Sequence, residues 1–208
     1  MTTIESFIVG NLLGDGWFTK ENNHTLFFQH STKQADYARY KEEIAKELGL
    51  QTHFYNINVT EHRKFPAVRV TVRLPNDLYK YFKHKFYPNN NKTITRHLLN
   101  YLDNTGLAIW YQDDGSLSVY TNPNTQHIQR HIKWCTEGFN YDEHVILQRY
   151  LKSVWDIDSN IRPEKHKYYF LWLGAISAKK LFSNITVCPN MSYKVDLKYF
   201  VPRSNPTG

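Results

Sequence analysis

The sequence predicts an α+β protein built from two copies of an αββαββα unit, and three observations point there. An apolar segment closed by Asp-Gly occurs twice, as Leu12-Leu13-Gly14-Asp15-Gly16 and as Trp110-Tyr111-Gln112-Asp113-Asp114-Gly115, with a period of 99 residues. After each copy the same order of strand-like and helix-like patterns follows. Each half then closes on a similar phrase, Pro88-Asn89-Asn90-Asn91-Lys92-Thr93 and Pro189-Asn190-Met191-Ser192-Tyr193-Lys194, whose lysines lie 102 residues apart.

Each unit opens on a helix. Ile8 to Asp15 forms about two turns, with Gly16 where a left-handed cap is usual, and Asp114 precedes Gly115 in the same way. Strand pairs follow: Trp17 to Thr19 with Thr25 to Ser31, and Ser116 to Tyr120 with His127 to Thr136. Next come helices with a core-facing stripe, Tyr37, Tyr40, Ile44 and Leu48 with Gly49 as the stop, then Leu147, Tyr150, Leu151 and Val154. Two more strands follow in each half, Gln51 to Thr60 and Ala67 to Arg73, then Asp158 to Lys165 and Tyr168 to Leu173. Short helices near Asp77 to Phe86 and Ala178 to Asn184 complete the units. The repeats are therefore 1–104 and 105–201, joined by a linker over Thr95 to Thr105, where polar residues and Gly106 interrupt an apolar run. The tail 202–208, rich in proline and glycine, is expected to be disordered.

Composition narrows the function. A chain of 208 residues, 41% hydrophobic and 22% charged, can bury a substantial core, which excludes intrinsic disorder. The longest apolar stretch, Tyr168 to Ile176, is about half of the roughly 20 residues a membrane span needs. Met1 to Ser6 has no basic segment ahead of an apolar one, so an intracellular protein without a secretion signal is expected. Cys135 and Cys188 form no CxxC and read as reduced thiols. Ten histidines show no ligand spacing, and no metal cluster is assigned to them. A net charge of +7 with 15% aromatics suits a polyphosphate partner, because cations release counterions and flat rings can meet bases.

The duplicated acids carry the chemistry. Asp15 and Asp114 lie at the carbonyl ends of their helices, where partial negative charge prefers lysine or arginine. A divalent cation shared by both carboxylates would compensate, since Mg²⁺ accepts hard oxygen ligands. A plain Asp-Gly turn is the alternative for either copy alone. Gly10 and Gly14, four apart, leave one face of the first helix nearly bare, so a second helix could approach closely and bring the acids together. Ile109, Trp110 and Tyr111 make the second segment bulkier, which predicts an asymmetric pairing.

Ile8-Val9-Gly10-Asn11-Leu12-Leu13-Gly14-Asp15-Gly16 and Leu107-Ala108-Ile109-Trp110-Tyr111-Gln112-Asp113-Asp114-Gly115 resemble the two copies of the LAGLIDADG motif. With Asn91-Lys92-Thr93-Ile94 and Tyr193-Lys194, the chain is similar over nearly its whole length to single-chain, two-motif LAGLIDADG homing endonucleases of the intron-encoded type. The resemblance implies motif helices packed at the centre and antiparallel sheets forming a DNA-binding saddle. It implies Asp15 and Asp114 as metal ligands, with Gly14 and Asp113 the neighbouring positions of the metal site, and Lys92 and Lys194 as active-site lysines. It also places water-organising groups at Gln29, Ser31, Thr136 and Glu137. The departures at Asn11, Leu13, Ile109, Gln112 and Asp113 face packing or solvent.

The function so implied is hydrolysis of both strands of a long asymmetric DNA target by a monomer using Mg²⁺, with Mn²⁺ a plausible substitute, in the compartment of its host DNA. Two further readings share the basic surface: an RNA-binding maturase acting on its intron RNA, and an inactive DNA-binding protein. Val68-Arg69-Val70-Thr71-Val72-Arg73 puts valines on one face and Arg69, Thr71 and Arg73 on the other, a reader for base edges in the major groove. Gln129, His131 and Lys133 form a less regular counterpart. A solvated sheet face and solvated lysines are the plainer alternatives.

Overall fold

In the computed structural model the described residues are 2–19, 23–59, 65–126, 128–164 and 168–195. The first repeat runs α1 (Ile4–Leu13), β1 (Gly16–Phe18), β2 (Thr25–Ser31), α2 (Ala35–Glu47), β3 (Gln51–Ile57), β4 (Ala67–Arg73) and α3 (Asn76–Phe86). A short helix α4 (Arg96–Leu99) leads to the second repeat: α5 (Asn104–Asp114), β5 (Gly115–Thr121), β6 (Ile128–Trp134), α6 (Tyr141–Trp155), β7 (Asn160–Glu164), β8 (Tyr168–Gly174) and α7 (Ala175–Asn184). A 3-10 turn over Pro189–Lys194 follows. The two antiparallel sheets share one order, β1-β2-β4-β3 and β5-β6-β8-β7, so the expected αββαββα duplication is the fold. Thr60, His127, Lys165 and the 202–208 tail lie outside the described residues.

The repeats are fused through α1 and α5. A Cβ on Gly10 would stand 2.4 Å from the Gly106 carbonyl oxygen, and one on Gly106 would stand 2.3 Å from Ser6 Oγ, so the helix backbones touch where both lack side chains. Gly106 is therefore a helix-crossing residue inside α5, not a linker break; the linker itself contains α4. Asp103 joins the two helix starts. Its Oδ1 accepts from the Thr105 and Gly106 amides at 2.9 and 3.0 Å, and its Oδ2 from Thr2 Oγ1 and the Thr3 amide. Both helices are buried nearly all round because each is wrapped by a sheet and its partner.

In the first repeat Leu26, Phe28, Val68, Val70 and Val72 face inward; in the second Ile132, Trp134, Leu171 and Leu173 do so. They belong to one continuous core that spans both repeats. Two details correct the sequence reading. Gly16 and Gly115 adopt no left-handed cap, since Gly49 alone among the described glycines has positive φ. They are required instead by close approach, because a Cβ at either would meet the helix carbonyl of Asn11 or Tyr111 at 2.6 Å. Val154 lies 47% exposed in the last turn of α6, off the buried stripe. Of the two surroundings expected for the motif departures, packing or solvent, Asn11 and Gln112 take the first: both are fully buried, and each side-chain amide donates to the carbonyl four residues back, at 2.9 and 3.0 Å.

Candidate active site

The crossing of α1 and α5 places their carboxyl ends side by side. Asp113, whose side chain has no exposed surface, reaches across the crossing into the first repeat. Its Oδ2 accepts from the Asp15 amide at 3.0 Å and from Lys41 Nζ at 3.0 Å; its Oδ1 accepts from Lys41 Nζ at 3.1 Å and from the Tyr37 hydroxyl at 2.8 Å. Gly14, at the matching motif position, leaves the space this carboxylate needs, since a Cβ there would stand 2.5 Å from Asp113 Oδ2. The motif asymmetry thus has a steric cause. Asp15, His30 and Asp113 offer ligand atoms within 4.8 Å of one another. Asp113, however, has its acceptor directions filled and its charge met by Lys41, which leaves it a structural acid beneath the site.

Asp15 and Asp114 are in a different state. Burial, then Asp113, lifts the Asp15 carboxyl to about 6, although 43% of its side chain remains open to solvent. Burial, then Asp113 and Asp15, lifts Asp114 to about 8. Asp114 therefore holds its proton at neutral pH, whereas Asp15 is ionised there and regains its proton only in mild acid. Lysines close each helix end: Lys92 Nζ lies 3.4 Å from the Gly14 carbonyl, and Lys194 Nζ donates to the Gln112 carbonyl and lies 3.4 Å from that of Asp113. The sequence placed acids at disfavoured helix ends; these ammonium groups, with Lys41, supply part of the compensation. Burial holds both lysines below the usual range, opposed for Lys92 most by Asp114 and for Lys194 most by Asp113 and then Asp15. Of the two motif acids, each lysine feels the one from the other repeat more strongly.

These shifts set a pH dependence. A carboxyl with a raised folded pKa holds its proton in the folded chain at pH values where the unfolded chain, near 4, has lost it. Metal-free stability from these two groups is thus full below about pH 4 and declines as pH rises through 6 and 8. In EDTA, Asp114→Asn is expected to raise the melting midpoint at pH 8.5 by about 2–4 °C, a gain of ~1 kcal/mol, and to change it little at pH 4.5. Thermal melts across that range check the sign.

The residues expected to read DNA lie on the sheet sides away from the core. Gln29, Arg69 and Tyr55 stand in register across β2, β4 and β3, as do Phe27, Thr71 and His53, and Thr25, Arg73 and Gln51. Arg69 donates through Nε and Nη2 to Gln29 Oε1 at 3.2 and 2.9 Å, and its guanidinium lies 5.6 Å from the Trp17 ring and 5.9 Å from that of Tyr55. Arg73 is exposed. In the second sheet Gln129, His131 and Lys133 pair with Tyr120, Ser118 and Ser116. His131 stacks on Trp172 with centroids 5.8 Å apart, and burial followed by the Arg162 charge keeps it below its usual pKa. Lys133 is engaged by Glu164 at 2.6 Å and Glu137 at 3.3 Å, so this face is less basic than its sequence suggested.

The four water-organising positions do not form one set. Ser31 is exposed at the end of β2, while Gln29 is bonded to Arg69 and Glu137 to Lys133. Thr136 is a correction: it is buried, with its hydroxyl 2.8 Å from His144 Nε2 and 3.4 Å from the Trp134 carbonyl, because the strand's inward alternation continues through it. Sequence reasoning missed Lys41 and gave His30 no role of its own within the stretch from Gln29 to Ser31. Lys41 falls between Tyr37 and Ile44 on the stripe that packs inward, and a lysine there is the signal of a buried partner. His30 alternates with Gln29 and Ser31, and its inward place on β2 was legible, but its neighbour Asp15 was not.

Among the described residues no helix is long and apolar enough to cross a membrane. Residues 5–181 match the LAGLIDADG DNA endonuclease family. An uncharacterised protein of Methanocaldococcus jannaschii is 31% identical over 174 residues, 82% of this chain and 63% of that protein. The cytochrome b mRNA maturase bI2 of Saccharomyces cerevisiae is 24% identical over 208 residues, 92% of this chain and 47% of the maturase, so the chain spans less than two thirds of either relative. The fold is similar to that of the homing endonuclease I-WcaI bound to its DNA recognition sequence, with a TM-score of 0.71 and 22% identity, covering 94% of this chain and 88% of that one. Two motif helices crossing on glycine, an acid and a lysine from each repeat at their carboxyl ends, and a match that takes in both repeats all lead to one assignment: the chain belongs to the LAGLIDADG DNA endonuclease family.

Proposed function

We propose that the chain is a site-specific, metal-dependent DNA endonuclease that hydrolyses both strands of a long asymmetric duplex and acts as a monomer. The observation that carries this reading is the pair Asp15 and Asp114, held at adjacent helix ends with too little positive charge around them. A divalent cation fits that deficit: the donors are hard carboxylate oxygens, and their raised proton affinity is what a doubly charged ion would replace. Asp15 and Asp114 would hold it, and when bound such an ion activates water and neutralises charge growing at phosphorus. Mg²⁺ suits the oxygen donors, with Mn²⁺ a substitute.

The chain's own groups supply the rest. Lys92 and Lys194 place ammonium groups beside the acids, where they stabilise charge on the phosphate as water's oxygen bonds to phosphorus and the bond to the 3′ oxygen breaks. Asp113 fixes the backbone at Asp15 by accepting the hydrogen bond that the Asp15 amide donates. Arg69, Thr71 and Arg73, with Gln129, His131 and Lys133, face the grooves. The two faces differ in every paired position, so the target has unlike halves. One chain supplies both acids and both lysines, which makes a second copy unnecessary.

The test is cleavage of a duplex library in Mg²⁺, enriched for linear product and including the junction formed by removing any intron that carries the reading frame. Recovery of one long site cut on both strands is expected; absence of cutting in Mg²⁺ and Mn²⁺ rejects the reading. With that site in hand, Arg69→Ala should lose about 1–3 kcal/mol of discrimination at one base pair. Equal weakening on all sequences, in gel-shift titrations, makes Arg69 a phosphate contact instead. The similarity to a maturase favours a second reading, binding of intron RNA through the same basic chain, and tight RNA binding by a protein that cuts no DNA would select it.

A further inference from the structure

A buried histidine stands beside Asp15, and the second repeat has a threonine at the matching place. In the first hairpin Phe28 pairs with Gly16 and in the second Trp134 pairs with Gly115. Two residues further along the chain come His30, inside β2, and Thr136, just past the end of β6. Thr136 turns its hydroxyl to His144 and the Trp134 carbonyl. His30, only 5% exposed, directs Nδ1 to within 3.4 Å of Asp15 Oδ2, and its ring is packed against Tyr37 and Phe28 with centroids 5.0 and 6.1 Å away. Its Nε2 is buried and has no hydrogen-bond partner among the described residues.

A neutral imidazole carries one hydrogen. On Nε2 it would be an unmatched buried donor and would leave the Nδ1 lone pair facing a carboxylate oxygen; on Nδ1 it would point at that oxygen, 3.4 Å away, within reach of a hydrogen bond that a small turn of the carboxylate would complete. The asymmetry extends below the ring. The seventh residue of α2 is Lys41, bound to Asp113, whereas the seventh of α6 is Leu147. Asp15 is thus held at its amide by Asp113 and faced at its carboxylate by His30.

We infer that His30 is a positioning residue that orients the Asp15 carboxylate through its Nδ1 hydrogen, and that Thr136 at the matching place makes the two halves of the site unequal, so the strands are cut one after the other. The inference rests on the endonuclease reading above. A partner that orients one carboxylate acts most on the scissile phosphate that carboxylate stands nearest, so the effect of His30 falls more on one strand than on the other.

The experiment uses a supercoiled plasmid carrying the selected site and a duplex labelled on each strand in turn, under single-turnover conditions in Mg²⁺. Nicked circle is expected to accumulate before linear product. His30→Thr, which copies the second repeat, should slow one strand ~10-fold, the scale for loss of an outer partner of a metal ligand, and leave the other within ~2-fold. His30→Asn, whose amide nitrogen can take the place of Nδ1, should bring the slowed strand back to within ~3-fold. Equal slowing of both strands, or no slowing, overturns the assignment to His30; failure of the unaltered protein to cut at all overturns the endonuclease reading and this inference with it. An independent readout is the tautomer in the metal-free protein, from long-range ¹H–¹⁵N correlations of the imidazole: hydrogen on Nδ1 is expected, and hydrogen on Nε2 refutes the contact.

Discussion

Replacing Asp114 by asparagine is expected to lower double-strand cleavage in Mg²⁺ by about 10³-fold, equivalent to ~4 kcal/mol of transition-state stabilisation. The amide keeps the shape of the side chain and removes the charge that holds a cation, so the loss falls on chemistry and not on folding. DNA binding measured in EDTA should be unchanged or tighter, because a desolvated negative group facing phosphates has been removed. Asp15→Asn is expected to behave alike. Single-turnover cleavage and gel-shift titration of the same preparations separate the two effects, and cutting at the unaltered rate by either variant would remove the mechanism in which both acids hold the ion.

Lys41→Met should cost about 3–5 kcal/mol of stability, the penalty for leaving one member of a fully buried ion pair behind. Lys41 and Asp113 have no exposed side-chain surface, and the ammonium also lies 4.3 Å from the Phe28 ring centre. Asp113→Ala alone strands the lysine in the same way. The double variant should recover much of the loss, since it leaves no charge uncompensated, although the Asp15 amide loses its acceptor, and a coupling of 2 kcal/mol or more, within the ~0.5–3 kcal/mol range for contacting residues, is expected from the cycle. Urea unfolding of the four proteins measures it. Simple additivity would mean that the pair is no closer in energy than two distant core residues.

The periodicities that made the fold legible are local. Alternating valines in β4, the stripe of Tyr37 and Ile44 in α2 and the repeated Asp-Gly are written in neighbouring residues, and the structure places strands and helices on them. Where the reading went astray, the cause lies between elements. Val154 continues a helical pattern past the point where anything packs against it, and Thr136 continues a strand's inward alternation into a site-facing segment. Gly16 and Gly115 were expected to serve dihedral freedom, while their helices demand room.

By itself the sequence determined the duplication, the order of elements, the two motif acids and the two late lysines, because repeats and hydrophobic periods are properties of the chain alone. Only the tertiary structure decided which charges meet. Asp113 lies 72 residues from Lys41 and finds it because α1 and α5 cross on Gly10 and Gly106, bringing one repeat's acid into the other's core. The unequal footing of Asp15 and Asp114 comes from that crossing, since electrostatics in a dry interior depends on distances through space that no spacing along the chain specifies.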